Sequence, residues 1–216
     1  MSKSNKYGYS GVDIPDQAFG SNSGKFDPSE INELVANDQW TQYGQLELIE
    51  TKTLSNDSAA LFTNIKENTY DVHFLTWTDF SYSVDSTRLI MQFYESGVLE
   101  TASVYQYATQ HCENGGTFTE QKSTGDSDLR IGGGNGDDTN EKANGYVYIY
   151  NAGNSSKYTF ITTQNLEFQN TVFRVEFGGG VLPQASTVDG IRLKMHDAGN
   201  LSGTTKLYGV KQIWVT

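Results

Sequence analysis

His111 and Cys112 stand side by side, and a thiol next to an imidazole is the pair from which a cysteine nucleophile is made. On a strand, however, adjacent side chains point to opposite faces, so the imidazole turns away from the sulfur and a half-buried thiol near a strand end is the plainer expectation. Cys112 is the only cysteine, which excludes an intrachain disulfide and a thiolate zinc cluster. The stretch GGGNGDDTN at 132–140 holds one GGxGxD unit, Gly133–Asp138. Such units offer backbone and carboxylate oxygens to calcium when copies stack in tandem, and here there is one copy. The spaced acids and closing Glu of an EF-hand are also missing. A surface loop is expected, with Asp137 and Asp138 the weak candidates for a cation and no metal or other cofactor predicted. His73, His111 and His196 are scattered without ligand spacing. The 26 Asp and Glu residues fall mostly in turns, so a carboxylate pair for glycoside hydrolysis cannot be located from spacing. No G-x-S-x-G elbow and no phosphate-binding glycine loop is present.

The aromatics carry a different chemistry. Thirteen Tyr, eleven Phe and three Trp make up 12% of the chain. Tyr105 and Tyr107 share one face of a strand, as do Tyr146, Tyr148 and Tyr150. Rows of this kind serve as flat platforms for sugars, as contacts between subunits, or as core filling.

The elements that position these residues divide the chain into an arm at 1–42 and a body at 43–216. In the arm, Tyr7, Tyr9, Ile14 and Phe19 interrupt a polar, glycine-rich segment, the pattern of a strap laid over a surface. A short helix over about 28–37 follows. Asp27 caps it, Pro28 fits its first position, and Glu30 completes a capping box. Phe26 and Ile31 form a hydrophobic staple, and Leu34 and Val35 continue an apolar face that must dock on something. From residue 43 the period becomes two. Strands are expected at 46–53, 60–65, 69–78, 87–94, 102–109, 145–150, 158–163, 171–177, 186–196 and 204–215. The segment 69–78 places His73, Leu75 and Trp77 on one face and Tyr70, Val72 and Phe74 on the other, which suits a strand covered on both sides. The stretch 112–145 reads as loop, with a short strand near 127–131. In the strand after Asp189, Ile191 and Leu193 face the core and Arg192 and Lys194 face out. A bulge is expected near Gly209, between Leu207 and Val210. The fold class is all-β: a two-sheet antiparallel sandwich, jelly-roll-like, preceded by an extended arm with one short helix.

A net charge of −11 and a pI near 4.6 argue against nucleic acid and against anionic membranes as partners. The start lacks an apolar secretory segment, and no apolar run approaches the roughly 18 residues of a membrane span. The expectation is a soluble chain made in a cytoplasm.

Two stretches together carry a resemblance: YGYSGVDIPDQAFGSNSGKFDPSEINELVANDQWTQYGQLELIET, and GVLPQASTVDGIRLKMHDAGNLSGTTKLYGVKQ. They resemble virion structural proteins of tailed marine phages, those infecting cyanobacteria in particular. The resemblance implies a non-enzymatic particle component, in the head, collar, baseplate or fibre. It would be made in the host bacterial cytoplasm, attached to other virion proteins through the arm, and homo-oligomeric in the particle. No functional residues come with it. Two alternatives stay open: a carbohydrate-binding module that recognises host surface glycans, and a glycan-degrading enzyme on a jelly roll.

Overall fold

The computed structural model describes residues 28–36 and 45–211. The chain forms two units, Met1–Gly44 and Gln45–Thr216. In the first, α1 spans Pro28–Ala36, with proline at the position where its missing N–H costs nothing. Ile31 and Leu34 are half-buried, and Val35 is exposed. The expected cap Asp27 and the arm residues Tyr7, Tyr9, Ile14, Phe19 and Phe26 lie outside the described residues.

The second unit is a β-sandwich. Its strands are β1 (Leu46–Asp57), β2 (Ala60–Phe62), β3 (Val72–Tyr82), β4 (Thr87–Glu95), β5 (Val98–Leu99), β6 (Tyr105–Glu113) and β7 (Phe118–Asp126). They continue with β8 (Leu129–Asn135), β9 (Ala143–Tyr150), β10 (Thr159–Gln169), β11 (Val172–Leu182), β12 (Val188–Met195) and β13 (Leu201–Val210). One sheet has eight strands in the order β1-β13-β3-β9-β10-β11-β6-β7. The other runs β2-β12-β4-β5, with β8 pairing β4. Every pairing is antiparallel.

Alternation drives this arrangement. On β3, His73, Leu75 and Trp77 are fully buried while Val72, Phe74 and Thr76 are half-buried on the other side. Ile191 and Leu193 of β12 meet Phe62, Leu89, Met91 and Phe93 in the core between the sheets. Each such side chain contributes about 1.5–3 kcal/mol through burial. Ser86, Ser96 and Gly97 take left-handed φ values of 62°, 53° and 75° in the turns flanking β4.

Three expectations need correction. The stretch 112–145 is not loop-dominated, because β7 and β8 occupy much of it. β7 reads FTEQKSTGD and has no apolar alternation; its backbone pairing with β6 makes it a strand. β8 includes Gly132, Gly133 and Gly134, residues that ordinarily weaken a strand. Here they give room to side chains from β10 and β11. A Cβ on Gly133 would sit 2.1 Å from Glu167 Oε1, and one on Gly132 would sit 2.8 Å from Asn165 Nδ2. Gly133→Ala is therefore expected to destabilise the protein by about 1–3 kcal/mol, the usual cost of overpacking. Urea unfolding would read it as a lower midpoint at unchanged slope.

Second, β13 keeps regular parity through Gly209: Leu207 and Gly209 point inward, Tyr208 and Val210 outward. The irregularity near Gly209 is carried by β1, whose register shifts between Leu48 and Glu50 opposite Tyr208 and Leu207, and a further one lies around Gly203, whose φ is +135°. Third, the outward side of β3 is only half-buried, whereas coverage on both sides was expected.

Candidate functional site

Two places in the body combine polar or aromatic groups in a way that could carry function. The first lies between the sheets. On β10 the inward positions include Asn165 and Glu167, and on β11 they include Glu176. Thr109 and His111 approach from β6 and Arg130 from β8. Arg130 grips Glu176 with both arms of its fork, Nε to Oε1 at 2.6 Å and Nη2 to Oε2 at 2.9 Å. Thr109 Oγ1 donates to the same Oε1 at 2.6 Å. Asn165 Nδ2 donates to Glu167 Oε2 at 2.7 Å, and Trp77 Nε1 donates to Asn165 Oδ1 at 2.9 Å. Glu167 Oε1 accepts no hydrogen bond, and neither does the buried Tyr82 hydroxyl find a partner. Burial, reinforced by the Glu176 charge, pushes the Glu167 carboxyl up to about 7. Burial also drives the Tyr82 phenol well above its ordinary value.

Two neighbouring carboxyl groups, one of them pushed up by burial, are the residue types of an acid–base pair in glycoside hydrolysis. Yet Glu167 is 1% and Glu176 0% exposed, beneath β8, so no substrate bond can reach them. Ligand atoms of His111, Glu167 and Glu176 also lie within 4.8 Å of one another, a donor set that zinc or manganese accepts. Arg130 already supplies Glu176 with the counter-charge a cation would bring, and His111 Nε2 lies 3.2 Å from Glu113 Oε1. The cluster is compensated from within and ties β8 to the large sheet.

The second place is the outward face of the eight-stranded sheet. Tyr146, Tyr148 and Tyr150 stand there on β9, as the alternation of the segment predicts. They pack with Phe74 of β3 and Tyr208 of β13. Phe74 lies 4.6 Å from Tyr148 with ring planes 35° apart, and 6.1 Å from Tyr208 at 36°. Tyr146 meets Tyr148 edge-on at 6.0 Å and 77°. Tyr148 and Tyr150 stack at 6.4 Å with planes 23° apart, so the rings spend part of their faces on mutual packing. Their hydroxyls turn to the next strand: Tyr146 OH donates to Gln164 Oε1 at 2.9 Å, and Tyr150 OH lies 3.2 Å from Thr162 Oγ1. Farther across the face, Phe160, Leu166 and Phe168 of β10 and Phe173 and Phe177 of β11 are 39–47% exposed. From Val72 to Thr78 and along β9, β10 and β11, every outward position is uncharged.

The remaining sequence candidates fall elsewhere. Tyr105 and Tyr107 do not join the exposed face; both point inward and are buried, a correction to their reading as a contact row. Tyr105 OH accepts from the Phe93 amide at 2.9 Å, and Tyr107 OH donates to Asp126 at 3.3 Å. Asp137 and Asp138 are exposed and stand apart from the convergent His111–Glu167–Glu176 group. His73 is buried with Nε2 2.8 Å from Ile65 O, and burial lowers its proton affinity. Cys112 is a half-buried free thiol, paired across strands with Phe118 and Val175, while its neighbour His111 faces the other way. Glu167, Glu176 and Arg130 escaped the sequence reading. The available signal was the inward parity of β10, where Thr159, Thr163, Asn165, Glu167 and Gln169 put polar groups on the core side. Among the described residues no helix is long and apolar enough to cross a membrane. The chain matches no protein-family model, no curated protein and no solved structure.

Proposed function

We propose that this chain is a non-enzymatic structural subunit of a phage particle, attached to other virion proteins through its N-terminal arm and contributing a β-sandwich to the assembled surface. The observation that carries this reading is the uncharged, aromatic-rich stretch of the large sheet's outer face over β3, β9, β10 and β11. A chain of net charge −11 that keeps charge off about twenty outward positions on four strands holds a surface for a protein neighbour. The sealing of Glu167 and Glu176 away from solvent supports a role without turnover. The resemblance of the two terminal stretches to marine phage virion proteins supplies the kind of assembly.

A second reading, contact with host surface glycans, draws on the Tyr146–Tyr148–Tyr150 row with its hydroxyls beside Gln164 and Thr162. The packing of these rings on one another favours a protein contact over a sugar platform.

Mass spectrometry of density-banded particles tests the assembly reading. The chain is expected in them at fixed stoichiometry. A variant with Leu34→Asp and Val35→Asp in α1 is expected to stay folded yet drop at least tenfold in particle content, since an apolar docking face would then carry unpaired charge. Absence of the wild-type chain from particles, or its release of sugar from host polysaccharide, would sink the proposal.

A further inference from the structure

We infer that two copies of this chain pair face to face through the outer side of the eight-stranded sheet, about a two-fold axis that crosses β11 at Gly178. The inference rests on the assembly reading and names the first neighbour within it. It comes from how the residues of this face are laid out.

Two rows run side by side across four strands. One is Gln164–Phe177–Gln110–Glu120, and the other is Thr162–Gly179–Ala108–Lys122. They lie on either side of Gly178, separated by the roughly 6.8 Å between successive outward positions on a strand. A two-fold axis in the plane of the face and perpendicular to β11 exchanges the two rows between copies. Phe177, 47% exposed, then stands over the partner's Gly179, where the absence of a side chain leaves a shallow groove bounded by Ala108, Phe160 and Val181. Lys122 stands over the partner's Glu120, and Glu120 over the partner's Lys122. Thr162 meets Gln164, hydroxyl over amide. One step farther out, Phe160 stands over the partner's Leu166, and Val181 over the partner's Val175. Large lies over small, cation over anion and apolar over apolar. A two-fold interface demands this self-complementarity, because each residue meets its counterpart in the opposite row.

Charge and area agree with a second copy as the occupant. Two chains of net charge −11 repel, and they approach most easily where neither carries charge. The only charged side chains in the two rows, Glu120 and Lys122, lie at the rim on β7 and are more than two-thirds exposed, paired with each other at 2.7 Å in the single chain. Four strands about 4.8 Å apart, with ~25 Å of length, give a footprint of roughly 500 Å² before side-chain relief is added. That is more than half of the ~800 Å² each partner gives to a specific complex.

Sedimentation equilibrium of the full chain over ~1–100 µM tests the pairing. The wild type is expected to be a dimer. Phe177→Asp is expected to be monomeric, with an unchanged far-ultraviolet spectrum, because the side chain is exposed in the single copy. Lys122→Glu sets glutamate against glutamate at two symmetric places and is expected to weaken the dimer about tenfold. Adding Glu120→Lys to it restores opposite charges across the axis and is expected to recover the affinity, whereas adding Asp57→Lys on β1, which returns the same net charge away from these rows, is expected not to. A wild type that stays monomeric throughout, a dimer indifferent to Phe177→Asp, or a charge swap without recovery would each overturn the inference. A monomer that is still present in particles overturns the pairing alone; a dimer missing from particles overturns the assembly reading alone.

Discussion

Replacing Arg130 with Met is expected to lower the melting temperature by about 10 °C. The guanidinium bonds both oxygens of Glu176, a carboxylate with no exposed surface. Removing it leaves an uncompensated charge between the sheets, beside a second buried carboxyl group, at a cost of about 3–5 kcal/mol. For a body of this size 1 kcal/mol moves the midpoint by about 2–4 °C. The penalty lies in the stranded charge more than in the lost bonds. Adding Glu176→Gln to Arg130→Met should therefore recover much of the stability, since the amide is neutral and still accepts from Thr109. Thermal scans followed by circular dichroism would decide it. A double variant no better than the single would show that the arginine acts mainly by filling space.

Glu167 is expected to make the protein less stable as pH rises from about 4.5 to about 7, contrary to the usual carboxylate. Its folded-state proton affinity is raised, to about 7, by burial and by the nearby Glu176. In that window the folded chain holds a proton that the unfolded chain has released. The folded state binds more protons, so stability falls with increasing pH and levels off above 7. The total is on the order of 3 kcal/mol, since each tenfold change in proton affinity is worth about 1.4 kcal/mol. Glu167→Gln has no such proton to lose. It should match the wild type near pH 4.5 and melt higher at pH 8, with its oxygen still able to accept from Asn165. Acids held below their ordinary range, such as Glu47 beside Lys211, slope the other way, but they contribute equally to both proteins and cancel in the comparison. Parallel melting curves across pH 4.5–8 would mean that Glu167 is ionised throughout.

Much of the sandwich was legible in the sequence because its central strands alternate cleanly. The grouping of His73, Leu75 and Trp77 on one face of β3, the inward Ile191 and Leu193, and the strands near 145–150 and 158–163 all follow from period two. What escaped was the identity of faces where both are partly apolar. Tyr105–Tyr107 and Tyr146–Tyr148–Tyr150 have the same spacing, yet the first pair is core and the second is surface. Period two sorts residues into two sets without saying which set is inside. That choice depends on the opposing sheet, which for β6 brings Phe93 to the Tyr105 hydroxyl. The β8 glycines misled for a related reason. Glycine usually marks a turn, and here it admits carboxyl groups reaching across from strands about 35 residues away in the chain. The ionic cluster brings Arg130 of β8 against Glu167 and Glu176 of the distant β10–β11 hairpin, and no local spacing encodes it.

The polar character of β7 has a consequence for the shape of any assembly. β7 forms one border of the large sheet, and an unpaired border is a ready template on which another chain can add a strand. Repetition of that addition has no natural end and yields fibres. The sequence FTEQKSTGD, with Glu120 and Lys122 projecting from this border, makes it a poor template. If copies pair through the broad side as inferred above, growth at the rim is discouraged and the association closes at a small number.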